Sequence, residues 1–283
     1  MSLRSSLPRR ASRGLSCALL ACALFVLSQP PRAHAGGFEN ARFGSERGHA
    51  VTPTPLAVYY NPAALSATRK VHIAIDGVLA LHGQQYTRSE STVPEPADAQ
   101  GANLGRAKSL DVLGAPTLAA SVKLGDFALG AGLFVPFGGF VGWQGNDAFK
   151  GNMKYPGAQD GRARWHAIDA STAFLYLSAG ASYQIRPIRL SLGVGINAIY
   201  GAASLARAQT AARDDDVSAE GRSLIDVSGW MASFSAGLMW EAIEHKLWIG
   251  ASYQAPPGFY SEMTLRGEVR TRTGGATSEV AAD

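Results

Sequence analysis

Cysteine is almost missing from this 283-residue chain, and the two that occur, Cys17 and Cys22, both fall in its first 22 positions. Everything after them is built without a disulfide or a thiol site. Charge is scarce as well, at 17% against the ~25% of an ordinary soluble domain, which excludes a disordered charged tail. No stretch after residue 36 approaches the ~18 consecutive apolar residues of a transmembrane helix. His34, His49, His72, His82, His166 and His245 have no metal-site spacing, and no Ser/His/Asp arrangement can be argued. The chain therefore reads as a non-enzyme that needs no metal and no cofactor.

What is present is unevenly distributed. Arg4, Arg9, Arg10, Arg13 and Arg32 stand in the first 35 positions with no acidic residue among them. Taking those five from the 26 Lys and Arg leaves 21 against 22 Asp and Glu. The formal charge of +4 is thus a property of the leader, and no basic face for nucleic acid remains. Residues 1–35 read as an export signal. The basic stretch leads into apolar residues from Leu15 to Leu27, Pro30 and Pro31 break the helix, and Ala33-His34-Ala35 supplies a cleavage site after Ala35. The apolar run is too short for the ~20 residues of a membrane span.

The remainder alternates with period two. From Ile188 to Tyr200, apolar side chains at even positions oppose Arg189, Ser191, Gly193, Gly195 and Asn197, with Ile199 the exception. Trp230, Ala232, Phe234, Ala236, Leu238 and Trp240 repeat the pattern, with tryptophans at both ends. At ~3.3 Å per residue and a tilt near 40°, that face spans ~25 Å, the height of a lipid-facing band between aromatic girdles. Val71 to Leu81, Thr117 to Leu124, Phe127 to Phe137, Leu175 to Ile185 and Leu247 to Tyr253 complete seven readable strands. Short turns (Gly125-Asp126, Arg186-Pro187, Glu241 to Lys246) alternate with long polar connections over 82–111, 138–165 and 202–227. The pattern predicts an all-β fold, a transmembrane antiparallel β-barrel. A soluble β-sandwich would use strands of about 5–6 residues.

Val58-Tyr59-Tyr60-Asn61-Pro62-Ala63-Ala64-Leu65 resembles the N-terminal motif of the outer-membrane long-chain fatty-acid and hydrophobic-compound transporters, the FadL/TodX/OMPP1 family. Further similarity lies at Ala115 to Ala119, Leu129 to Gly138, Leu190 to Ala198 and Trp248 to Tyr253. The resemblance implies a fourteen-stranded barrel in the Gram-negative outer membrane, plugged by an N-terminal hatch. It also implies passive, ligand-gated diffusion of long-chain fatty acids or other hydrophobic molecules, with an inward-kinked third strand opening the wall sideways. Residues 36–66 then form the hatch and 67–283 an incomplete barrel. The rival reading is a non-transporting structural or adhesion barrel.

Three groups of residues carry the expected site. Asn61, Pro62 and Ala63 read either as an N-cap with proline in the first helical turn or as a hatch contact beside the ligand path. Pro136, Phe137, Gly138 and Gly139 read either as a strand end or as the third-strand kink. Phe140, Trp143 and Phe149, in the second long connection, read either as an apolar capture groove or as a loop packed on itself. Expected partners are hydrophobic small molecules, outer-membrane lipid and lipopolysaccharide. Seven strands cannot close an antiparallel barrel, and Ser278 to Asp283 lacks the terminal aromatic of such proteins, so the sequence is expected to be truncated or to need a partner.

Overall fold

The computed structural model describes residues 48–258, 265–273 and 276–282. The expected leader and its cleavage after Ala35 lie outside the described residues. A short helix, α1 (Ala57–Tyr60), and a 3₁₀ turn (Pro62–Ala67) come first. One antiparallel sheet follows: β1 (Val71–Arg88), β2 (Gly105–Leu124), β3 (Phe127–Gly142), β4 (Asp169–Ile185), β5 (Leu190–Gln209) and β6 (Gly221–Ile243) pair in sequence order. Beyond them lie β7 (Leu247–Gln254), β8 (Arg266–Thr273) and β9 (Ala276–Ala282). The fold is the antiparallel part-barrel that the alternation predicts.

Two sheet faces meet different surroundings. On β1, Ile73, Ile75, Leu79 and Leu81 are exposed while the residues between them are half-buried. On β5, Leu192, Val194 and Ile196 point outward and Ser191, Gly193, Gly195 and Asn197 are buried inside. Outward apolar side chains in this number belong against lipid. Trp230 lies beside Tyr200 with ring centroids 5.2 Å apart on the outer face, and Phe127 beside Tyr183 at 4.7 Å close to the opposite end of the strands. Ile199, the exception to the alternation, faces inward and joins the buried cluster of Val58, Leu65 and Phe134.

Two features differ from expectation. The strands reach well into the connections read as loops, leaving only 89–104, 143–168 and 210–220 outside the first six. Polar residues that cannot lie in hydrocarbon still pair as sheet beyond it, because ladder bonds satisfy the backbone in either medium. The seventh strand is also interrupted. β7 pairs with Ser235 to Ile243 of β6 and β8 with Arg222 to Ser228 of the same strand. β9, which the sequence reading did not anticipate, then pairs with β8.

The short turns close on residues in the left-handed region: Gly125 (φ 68°), Arg189 (φ 53°) and His245 (φ 52°). Only the glycine adopts this without steric cost. In barrels of this kind the short turns face the periplasm and the long loops the cell exterior.

Candidate functional site

Residues 48–66, the described part of the expected hatch and here called the plug, are seated on glycine. A Cβ at Gly193 would collide with the backbone of Pro62 and Ala63, and one at Gly237 with the Asn61 carboxamide. At Gly130 a Cβ would come within 2.7 Å of Leu65, and at Gly180 within 3.1 Å of Val58. The inward faces of β3, β4, β5 and β6 thus omit side chains where 58–65 lies. All these glycines are in the short-turn half of their strands, so residues 58–65 lie against that half of the sheet's inner face.

Asn61 ties the plug to the wall. Its Oδ1 accepts from Ala63 N at 3.1 Å, capping the 3₁₀ turn that Pro62 opens. Its Nδ2 donates to Ala50 O at 2.6 Å and to Leu238 O of β6 at 3.0 Å. One side chain therefore both caps the turn and bonds the segment to β6. A hydroxyl–hydroxyl bond between Ser66 and Ser191 at 2.7 Å adds a second tie. Tyr59 packs between Phe134 of β3 and Tyr176 of β4, with ring centroids 5.4 and 5.7 Å away. Burial, with the charge of Asp76, pushes the Tyr60 hydroxyl well above its usual range, so it stays neutral.

β3 leaves β2 halfway up. The two strands pair only from Leu124/Phe127 to Leu118/Leu133. Above that, β2 pairs with β1 alone and β3 with β4 alone, until Gly142 N donates to Asp111 Oδ1 at 3.1 Å and Gln144 N to Lys108 O at 2.9 Å. The break coincides with a bulge. Between Phe134 and Phe137 β3 advances three residues against two on β4, which places Val135 and Pro136 in the extra step. Pro136 cannot donate to the ladder, and it is fully buried. Gly114 of β2 lies on the outward face opposite Leu79, where a Cβ would meet nothing within 4 Å.

The other expected residues divide. Gly138 and Gly139 pair with Ala173 and Thr172 of β4, and a Cβ at Gly138 would meet Thr172 O at 3.3 Å. Phe140 projects outward and is 43% exposed, whereas Phe137, paired with Phe174 of β4, lies on the inner face and is 39% exposed. Trp143 stands 6.3 Å from Tyr86, whereas Phe149 packs inside the loops with Ala99, Tyr155 and Val217. The structure therefore does not gather Phe140, Trp143 and Phe149 into one groove, and Phe149 packs its loop on itself. Sequence reasoning missed Tyr59 and Phe134. The first lay inside the quoted motif, but nothing local says which wall residues it meets.

The long loops pack on one another beyond the strands. Arg164 is fully buried, pairs with Glu220 through Nε at 2.9 Å and donates to Asn103 Oδ1 at 2.8 Å. Burial lowers its proton affinity and Glu220 opposes that, but a guanidinium remains charged at any working pH. Asp215 accepts from Arg88, Ser91, Thr92 and Val93, which joins the 89–104 and 210–220 loops.

A family profile described as outer membrane protein transport protein (OMPP1/FadL/TodX) matches residues 47–282. No relative among curated proteins matches. Among solved structures, a Pseudomonas aeruginosa FadL homologue is 18% identical with a TM-score of 0.61, covering 85% of this chain and 56% of its own. The Ralstonia pickettii toluene transporter TbuX is 18% identical with a TM-score of 0.56, covering 88% and 63%. The P. putida toluene transporter TodX is 18% identical with a TM-score of 0.55, covering 87% and 62%. These likenesses show a shared fold. The chain spans 56–63% of the length of these three structures.

Proposed function

The chain belongs to the OMPP1/FadL/TodX family of outer membrane transport proteins, and on that premise we propose that it passes hydrophobic small molecules, long-chain fatty acids among them, across the outer membrane. The proposed route enters beneath the loops, reaches the plug, and leaves sideways between β2 and β3. Passage is passive, and the ligand itself displaces the plug contacts that obstruct it. Lipid and lipopolysaccharide are the proposed surroundings of the outward face.

The observation that carries this reading is the unpaired stretch between β2 and β3 directly above the plug. Open ladders in hydrocarbon are costly, so a gap next to a seated plug calls for a reason beyond assembly. A ligand leaving there enters lipid without crossing water, avoiding about 0.8 kcal/mol of hydration cost per CH₂. Small, weakly polar lumen residues such as Gly193, Gly195, Ser233 and Ser235 suit greasy cargo better than the charged lining of an aqueous pore.

The test is uptake by vesicles carrying the full-length protein, with a labelled long-chain fatty acid in one arm and labelled toluene in the other. Pro136→Val, which restores a ladder donor, should slow uptake of whichever ligand passes and leave assembly intact. Gly138→Leu, against β4, should do so less. If parent and variants all carry label no faster than empty vesicles, the structural or adhesion reading replaces this one. If they all transport at the parent rate, transport stands and the lateral route is wrong.

A further inference from the structure

Pro136 has a counterpart on the facing strand. Extending the β2–β3 register upward from Leu118/Leu133 sets Pro116 opposite Val135. Extending the upper register downward from Gln144 N and Lys108 O sets it opposite Pro136 itself. By either count the two prolines come together across the opening, just beyond the end of the ladder. The direction of their missing donors follows from the bonds nearby. In an antiparallel pair each residue turns its N–H and C=O to one neighbouring strand, and the next residue turns them to the other. Lys123 N donates to Lys70 O on the β1 side, and Lys108 O accepts from Gln144 N on the β3 side. Odd residues of β2 therefore address β1, and even ones, Pro116 among them, address β3. Along β3, Asp126 O accepts from Gln184 N below the bulge and Trp143 N donates to Ile168 O above it. Even residues thus address β4 below the bulge and odd ones above it, so Val135 and Pro136 in the extra step both address β2.

Neither proline interrupts a ladder that exists. Pro116 pairs with Gly77 in a β1–β2 register that runs unshifted from Val71 to Arg88. On the other side, β4 meets Phe134 and Phe137 to either side of the bulge. Each proline instead withdraws a donor from the side on which β2 and β3 separate. Every backbone group left unbonded in hydrocarbon is costly. Two prolines lessen that cost and also deny the strands the bonds that would zip them together. We propose that Pro116 is a positioning residue of the lateral opening, acting with Pro136 to hold β2 and β3 apart so that cargo passes between them. This rests on the lateral route proposed above. It adds that the opening is set from both strands, rather than by the bulge of β3 alone.

The experiment uses the full-length protein with ¹⁵N-labelled glycine, in vesicles for uptake and in lipid nanodiscs for hydrogen exchange. The amides of Gly114 and Gly138 address the opening by the same alternation. Pro116→Val restores one donor, and one backbone bond of ordinary strength should slow uptake about fivefold and protect both amides to a similar degree. Adding Pro136→Val should bring the loss to about twentyfold. Gly114→Pro in the Pro116→Val background moves the missing donor two residues along the same edge, to a place where a Cβ meets nothing within 4 Å. It should return uptake and the exchange of Gly138 toward the parent values, which a purely local role for the ring at 116 would not allow. If parent vesicles carry no label, the transport reading fails by itself, and the amides still decide whether the prolines hold the strands apart. The proposal is overturned if Pro116→Val leaves both amides exchanging as in the parent. It is overturned too if the amides become protected while uptake keeps the parent rate, or if Gly114→Pro rescues neither measurement.

Discussion

Asn61 concentrates more structure than any other side chain of the plug, because one carboxamide caps a turn, holds Ala50 and reaches β6. Asn61→Ala removes all three bonds and leaves buried backbone groups unmet, at a cost of about 2–3 kcal/mol of plug docking. Hydrogen exchange should show faster opening of residues 48–67 with the strands unchanged. Gly193→Ala should give the same signature by the opposite cause. Alanine is the better strand residue by up to ~1 kcal/mol, yet its Cβ occupies the place of the Ala63 backbone. Asp215 sets a pH dependence. Burial raises its pKa, but hydrogen bonds from Thr92 and Ser91 and from the Val93 and Thr92 amides outweigh that and hold it below the ordinary carboxylate value. With a depressed folded pKa, its stabilisation is complete above the unfolded value of about 3.9 and is lost as pH falls through the folded one. The 89–104 loop should therefore begin to exchange faster below about pH 4, whereas Asp215→Asn should loosen it already at neutral pH.

At the level of elements, the loops form a cap with its own small core and its own buried charges. Arg164 and Glu220 are 0% and 3% exposed in their side chains. Removing one partner of such a pair strands the other, at about 3 kcal/mol, whereas replacing both with apolar groups of similar size is far milder. Arg164→Met should open the 89–104 and 210–220 loops to protease, and the double variant Arg164→Met with Glu220→Leu should recover most of the protection. Neither should affect the β4–β5 pairing that lies in lipid. β3 behaves in the contrary way. Its lower half is ordinary ladder on both sides, and only above Phe134 does it exchange two neighbours for one. The proline was legible as an interruption. That the strand bulges and continues to Gly142, rather than stopping, depends on β4 supplying a partner for every residue from Phe137 onward.

For the whole molecule, the outward face should behave as a lipid contact whatever ligand the lumen takes. Ile196 is 68% exposed and pairs with Phe234, midway between Trp230 and Trp240. An arginine there belongs near the bilayer centre, so Ile196→Arg should cost about 2–4 kcal/mol of folding into vesicles, read from urea titration. Ile188→Arg, in the short turn, should cost less than about 1 kcal/mol. Lipids brominated at defined depths should quench variants retaining only Trp230 or only Trp240 most strongly near the two opposite interfaces. Equal quenching by mid-chain bromine would contradict the girdle assignment.

The period-two pattern was enough to establish strands, their outward face, the turn ends and the membrane setting, because each follows from neighbours a few residues apart. A side chain two positions along a strand shares its face whatever else the chain does. The small inward residues and the Asn-Pro-Ala cap were visible for the same reason. What only the tertiary structure decided is which partner each of them has. Asn61 meets Leu238 across 177 positions, Asp215 holds Arg88 across 127, and Ile199 breaks the alternation because the plug stands opposite it. The gap between β2 and β3 is likewise a matter of register between strands, and no residue of either strand encodes it alone. Alternation is set by local geometry, whereas plug, cap and opening exist only once distant segments are brought together.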